Sequence, residues 1–147
     1  MKRIMPSESV KKNTEESRLN FYRRWGRLAK PYFRWQIRQF RPFLGKRIGD
    51  VGCGIGNFTC FFKGRDLLYI GFEPDKELAE EFKRSCLRGN IRSAVNGDIC
   101  TTEAVAEIKE SGLDTVICIN VLEHIENDRH AFFNIVDGVV QGGHICI

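Results

Sequence analysis

An acid followed by glycines at alternate positions, Asp50-Val51-Gly52-Cys53-Gly54-Ile55-Gly56, is the stretch of this chain suited to hold a ligand with its backbone. A glycine-rich turn between strand and helix lets the main chain approach closely, because no Cβ intervenes and positive φ costs little. A nucleotide-like cofactor lying over a strand end is the chemistry such a loop serves. The spacing does not fit a dinucleotide: that fingerprint reads Gly-x-Gly-x-x-Gly, and here the sixth place from Gly52 is Asn57, with Gly56 one position early. Asp50, two residues before the first glycine, instead suits a ligand with an amino-acid end, whose ammonium group an acid would attract. Glu73 follows Asp50 by 23 residues. At the end of a second strand, its carboxylate could accept both hydroxyl protons of a ribose. It could also do no more than open the following helix; the conjunction with the glycines favours the ligand role.

The elements that must position these residues alternate. A strand over residues 46–51 leads through the glycines to a short helix near 57–63. An apolar run over 67–72 reads as a buried second strand, and Asp75 is placed to cap a helix whose inner face carries Leu78, Ala79, Phe82, Cys86 and Leu87. Residues 91–95 form a third strand closed by Asn96-Gly97-Asp98. A helix over 102–110 is stopped by Ser111-Gly112. Residues 113–120 are the clearest strand, a helix follows over 128–140, and Gln141-Gly142-Gly143 turns into a last strand over 144–147. Strand and helix in this rhythm predict an α/β, Rossmann-like, doubly wound and mainly parallel sheet, since parallel neighbours need crossovers. In such sheets ligands sit at the carboxyl ends of strands, near the point where strand order reverses. That directs attention to Asp50 and the glycines, Glu73, Asp98 and Asn120.

Ahead of the glycines the pattern is helical. Leu19, Tyr22, Trp25 and Ala29 recur at three- and four-residue steps, and Phe33, Ile37 and Phe40 form a second stripe between Pro31 and Pro42. The division expected is a mobile arm over 1–17, helices over 18–45 and an α/β domain over 46–147. At 147 residues, 42% hydrophobic and 29% charged, the chain suits one globular domain. It has no apolar run of the roughly 18 residues that span a bilayer. Its polar start does not resemble a secretory signal, so a cytoplasmic location is the default expectation. The six cysteines are scattered without a Cys-x-x-Cys pair and read as reduced and structural. His124, His130 and His144 are not at zinc-ligand spacing to them, and no metal is expected.

Net charge is uneven. Residues 1–47 carry +11 and residues 48–147 carry −7, giving the overall +4. The positive end could meet nucleic acid, an anionic lipid surface or an acidic substrate, or lie against the acidic remainder. Arginines interleaved with Tyr22, Trp25, Tyr32 and Trp35 could stack on bases. The simpler reading buries the aromatics and solvates the arginines, leaving nucleic-acid binding a minor alternative.

With these stations in place the chain resembles the class I S-adenosylmethionine-dependent methyltransferases, whose first motif is Asp/Glu-x-Gly-x-Gly-x-Gly. The resemblance runs over about residues 21–147: Asp50 to Gly56 matches the glycine loop, Glu73 the ribose acid, Gly97-Asp98-Ile99 the element after strand three, and Asn120-Val121-Leu122-Glu123-His124 the end of strand four. It implies a cofactor, S-adenosylmethionine, bound by Asp50, Gly52, Cys53, Gly54, Gly56, Glu73, Asp98, Ile99 and Asn120, on a sheet of order 3-2-1-4-5. It further implies methyl transfer to a small-molecule or carrier-linked acceptor. His124 is the candidate base where the acceptor must lose a proton, with Glu123 similarly placed. Tyr22 or Trp25 could shelter a sulfonium if the first helix folds over the site. Gly49 stands where the family has a large apolar residue, which should weaken the first strand. The family's sheet has seven strands and this chain reaches only the fifth, leaving an apolar edge. The alternative reading is therefore a catalytically impaired cofactor-binding fragment or interaction module.

Overall fold

The computed structural model describes residues 8–62, 64–86, 91–95 and 97–147, with backbone alone for 8–17 and 91–95. Residues 1–7 of the expected arm, Lys63, Leu87 and Asn96 lie outside the described residues. Two helices, α1 (Glu8–Leu28) and α2 (Lys30–Phe40), precede β1 (Arg47–Val51). Then come β2 (Leu68–Phe72), α3 (Lys76–Cys86), β3 (Ile91–Val95), α4 (Thr102–Ser111), β4 (Thr115–Ile117), α5 (Asp128–Gly138) and β5 (His144–Cys146). The strands form one sheet of order β3-β2-β1-β4-β5, parallel at every pairing. Strand order reverses between β1 and β4, as the alternating pattern and its crossovers predict.

Alternate residues of each strand feed two cores. Ile48, Tyr69 and Ile117 face Phe33 and Ile37 of α2 and Phe82 and Cys86 of α3. Val51, Ile70, Phe72 and Val116 face Ile108 of α4 and Ala131 and Ile135 of α5. Phe62, Phe72 and Phe82 are sealed from solvent, and burying each stabilises the fold by roughly 1.5–3 kcal/mol. Gly49 does not break β1, because a Cβ there would meet Leu113 Cδ1 at 2.5 Å: the neighbouring leucine fills the space.

Local signals act as the sequence predicts at Asp75, whose Oδ1 accepts from the N–H groups of Glu77 and Leu78, and at Gly112, which ends α4 in a left-handed conformation. Two further caps, Thr101 on Ala104 N–H and Asn127 on His130 N–H, open α4 and α5.

Three boundaries differ from expectation. α1 starts at Glu8, inside the stretch read as an arm; its first turns are almost wholly polar, which leaves no apolar period to read. The helix expected over 57–63 is one 3-10 turn, Thr59–Phe61, in which Thr59 Oγ1 donates back to Gly56 O at 2.7 Å, and Gly64 follows with φ of 74°. The strand expected over 113–120 pairs over three residues, because β1 leaves the ladder for the glycine turn just past the Asp50–Ile117 pair.

Candidate active site

At the carboxyl ends of the strands, beside the reversal of strand order, lies a cleft of about 510 Å³, within the range of small-molecule sites. Its floor begins where β1 ends. Phe72 O accepts from both Gly52 N–H (2.8 Å) and Cys53 N–H (3.2 Å), pinning the turn to β2. Gly52 and Gly54 have φ of 71° and 54°, a region that costs other residues strain. Their surroundings differ. A Cβ on Gly52 would lie 2.3 Å from Val121 Cγ2, so that glycine lets two chain segments touch. A Cβ on Gly54 would meet nothing closer than Tyr22 Cε1 at 4.0 Å, so Gly54 turns its bare backbone to the cleft.

Glu73 ties this loop to the next element. Its Oε2 accepts from Gly54 N–H at 2.8 Å and its Oε1 from Asp75 N–H at 3.0 Å, just ahead of α3. Burial pushes the carboxyl up from its ordinary value, and those two backbone donors pull against the shift. The side chain that sequence reading assigns either to a ligand or to the helix start thus sits at both places, since it also lines the cleft.

Asp50 lies deeper, 2% exposed. Tyr69 O–H, on the same sheet face of the neighbouring strand, donates to Asp50 Oδ2 in a short hydrogen bond. Burial raises the Asp50 carboxyl to about 7, the Tyr69 bond opposes this, and the charge of Glu73 adds to it. Burial and the nearby carboxylate also push the Tyr69 phenol well up, so it stays a donor.

The opposite wall comes from β3 and β4. Asp98 Oδ1 accepts from Cys100 N–H at 2.9 Å, and Asn134 of α5 donates to Ile99 O at 2.8 Å, fixing that turn. Asn120, at the end of β4, is the one non-glycine with positive φ (55°) among the described residues. Such a conformation persists where surroundings impose it. It leads into a 3-10 turn, Leu122–His124. His124 lines the cleft; Glu123 beside it does not.

The roof is α1. Tyr22 and Trp25 reach the cleft together with Phe33 of α2, realising the folded-over arrangement considered for the first helix. Gly26 makes this approach feasible, because a Cβ there would fall 2.1 Å from Asn57 Oδ1. The helix is anchored on α3 by Arg18 to Asp75 (2.8 Å) and Glu77 (2.7 Å), and by Arg23 to the buried Glu81 (2.9 Å).

Of the residues singled out by sequence, the fold brings Gly52, Cys53, Gly54, Glu73, Asp98, Ile99, Asn120 and His124 to one cleft, while Asp50, Gly56 and Glu123 fall outside its lining. Leu78, read only as helix core, and Val121, inside the strand-four motif, also line it, as do Asn57, Ile125 and Glu126, which carry no ligand signal in the sequence. Gly26, a glycine inside a strongly helical stretch, is the mark that could have pointed to a close approach. Among the described residues no group of three or more His, Cys, Asp or Glu could hold a metal ion.

A family model described as a methyltransferase domain matches residues 50–145, from the buried acid to the last strand. The chain belongs to the methyltransferase-domain family. Curated relatives of this methyltransferase domain include the ubiquinone biosynthesis O-methyltransferases of Alkalilimnicola ehrlichii, 29% identical over 101 residues, and of Ralstonia nicotianae, 26% identical over 109. These alignments cover 69% and 74% of the chain but 40% and 45% of the relatives, so the chain spans less than half their length.

Solved structures share the fold. A TehB-like SAM-dependent methyltransferase from Corynebacterium glutamicum matches with a TM-score of 0.68 at 22% identity, over 90% of this chain and 72% of that one. A Thermotoga maritima SAM-dependent methyltransferase, described as a possible histamine N-methyltransferase, matches with 0.68 at 18% identity, over 86% and 56%. The Synechocystis magnesium protoporphyrin IX methyltransferase, solved with bound SAM, matches with 0.55 at 19% identity, over 78% and 54%.

Proposed function

We propose that this methyltransferase domain binds S-adenosylmethionine in the cleft and methylates oxygen on a small-molecule or carrier-linked acceptor. The observation that carries the reading is the pairing of Gly54, whose bare backbone faces the cleft, with Glu73, which lines it from the adjoining strand end. The donor set fits the cofactor. Carboxylate oxygens accept more than one hydrogen bond each, so Glu73 can receive ribose hydroxyls while keeping its backbone contacts. Asp98 and the backbone at Ile99 would hold adenine, and Asn120 would border the methionine portion. Asp50, in its ionised form, would attract the ammonium group from beneath the loop, with Gly56 shaping the turn.

When bound, S-adenosylmethionine supplies a methyl group already activated on a sulfonium sulfur. The chain's own part is then to orient the partners and exclude water. Tyr22 and Trp25 offer aromatic faces that favour a neighbouring cation and cover the cleft. His124, which lines the cleft, would take the proton of an acceptor hydroxyl, with Glu123 beside it outside the lining. Oxygen as the acceptor atom is supported by relatives that bear the name O-methyltransferase, and a histidine in the cleft lining is compatible with it.

Calorimetric titration of the wild-type chain and Glu73→Ala with S-adenosylmethionine tests this. Saturable wild-type binding, weakened at least ~10-fold in the variant, is the expected result, in line with loss of charge-assisted hydrogen bonds. Absence of saturable wild-type binding would overturn the reading, and undiminished binding by Glu73→Ala would remove the ribose assignment.

A further inference from the structure

The outer side of the two N-terminal helices carries exposed apolar residues, of which Trp25 alone also lines the cleft. Phe21, Trp25 and Leu28 recur at i, i+4 and i+7 on α1 and are 61%, 48% and 67% exposed. Tyr32 and Trp35 continue the apolar surface onto α2, their rings stacked at 6.0 Å, and Trp25 and Tyr32 both pack on Phe33 between them. Exposed apolar surface this concentrated is uncommon on a soluble monomer and marks a docking face.

Charge says what docks there. Residues 18–43 contain eight Lys and Arg and no carboxylate. Arg18 and Arg23 are engaged with α3. Arg24, Arg27, Lys30, Arg34, Arg38 and Arg41 form no ion pair among the described residues. Helical spacing sets Arg24 beside the Phe21–Trp25–Leu28 stripe and Arg38 beside Trp35, with Arg34 one turn before Arg38 on its own side of α2.

We propose that this face of α1 and α2 lies on an anionic lipid surface. Tryptophan and tyrosine settle at the headgroup level, Leu28 and Phe21 enter the acyl boundary, and the flanking cations meet lipid phosphates. The contact proposed is with the membrane surface; no helix among the described residues is long and apolar enough to cross a membrane. Nucleic acid fits less well. Tyr32 and Trp35 already stack on each other, Phe21 is set edge-on to Tyr22 at 5.8 Å, and an exposed leucine has no base to stack on. Trp25 belongs both to this face and to the roof of the cleft, so a docked molecule would present its cleft close to the lipid.

Co-sedimentation of the chain with vesicles tests the proposal without needing cofactor or methyl transfer, so its outcome is separate from that of the cofactor titration. Vesicles of phosphatidylcholine alone and of phosphatidylcholine with roughly one-third phosphatidylglycerol are compared at low and high salt. Binding to the anionic vesicles alone, weakened by salt and accompanied by a blue shift of tryptophan fluorescence, is expected. Arg34→Glu/Arg38→Glu and Leu28→Glu should each reduce it ~10-fold or more, with circular dichroism showing retained helices. Phe133→Glu, on α5, should bind as the wild type does. Equal binding to neutral vesicles, no binding to either kind, or retention on polyuridylate that displaces the vesicles would each overturn it.

Discussion

Asp50 shows how a residue can be legible as chemistry and illegible as environment. Its acid-plus-glycines spacing marks it in the sequence, but its partner Tyr69 emerges only from strand register, which places the two on one sheet face of adjacent strands. Glu73 is the same case: its place at a strand end is readable, its grip on Gly54 N–H and Asp75 N–H is not. The Asp50 environment has a measurable consequence. A carboxyl raised from its ordinary 3.8 to about 7 by burial binds its proton more tightly folded than unfolded. Its contribution is therefore full below the unfolded value and is lost as pH climbs to about 7, an effect on the order of a few kcal/mol. Urea unfolding at about pH 5 and about pH 8 should show the chain more stable at the lower pH, and Asp50→Asn should flatten that difference. Tyr69→Phe removes the donor that opposes the shift, and should carry the fall to higher pH. An unchanged slope in Asp50→Asn would assign the pH dependence to other groups.

Among the elements, those with buried periodic faces were readable in advance. α3 is capped by Asp75 and faces inward through Leu78, Ala79 and Phe82, as their spacing predicts. What stayed hidden left no trace in the apolar pattern: β4 stops pairing where β1 turns away, and α1 begins before its apolar stripe. The lie of α1 across the glycine loop was only a possibility in the sequence. It depends on three ion pairs and on Gly26 meeting Asn57. Among those pairs Glu81 is the buried member, 7% exposed in its side chain and also bonded by Arg84 and by Ser85 Oγ. Glu81→Ala should cost roughly 1–2 kcal/mol in α1 docking. Amide exchange should accelerate over α1 and at Asn57 while β1 and β2 keep their protection. Uniform acceleration through the sheet would show instead that α1 is integral to the core.

At the scale of the whole molecule, a parallel sheet followed from the alternation of elements, because parallel neighbours demand crossovers, whereas its order, β3-β2-β1-β4-β5, was an implication of the family resemblance. The split between a basic amino-terminal third and an acidic remainder proved to be partly a contact, Arg18 and Arg23 meeting the acids of α3. No described strand covers the outer edge of β5. Ile147 there, with Phe133, Val136 and Val140 nearby in sequence, is among the exposed large apolar residues. Light scattering of concentrated chain should reveal self-association that Phe133→Glu reduces, with stability altered by no more than about 0.5 kcal/mol. Scattering unaffected by the substitution would move the sticky surface elsewhere. The cleft itself joins two kinds of material. Its floor is strand ends locked by hydrogen-bond register, whereas its roof is a helix fastened by long, half-exposed arginines. Such a joint lets one half hold a fixed standard while the other is recut, so divergence between homologous chains should concentrate in α1 and leave the contour from Gly52 to Glu73 almost untouched.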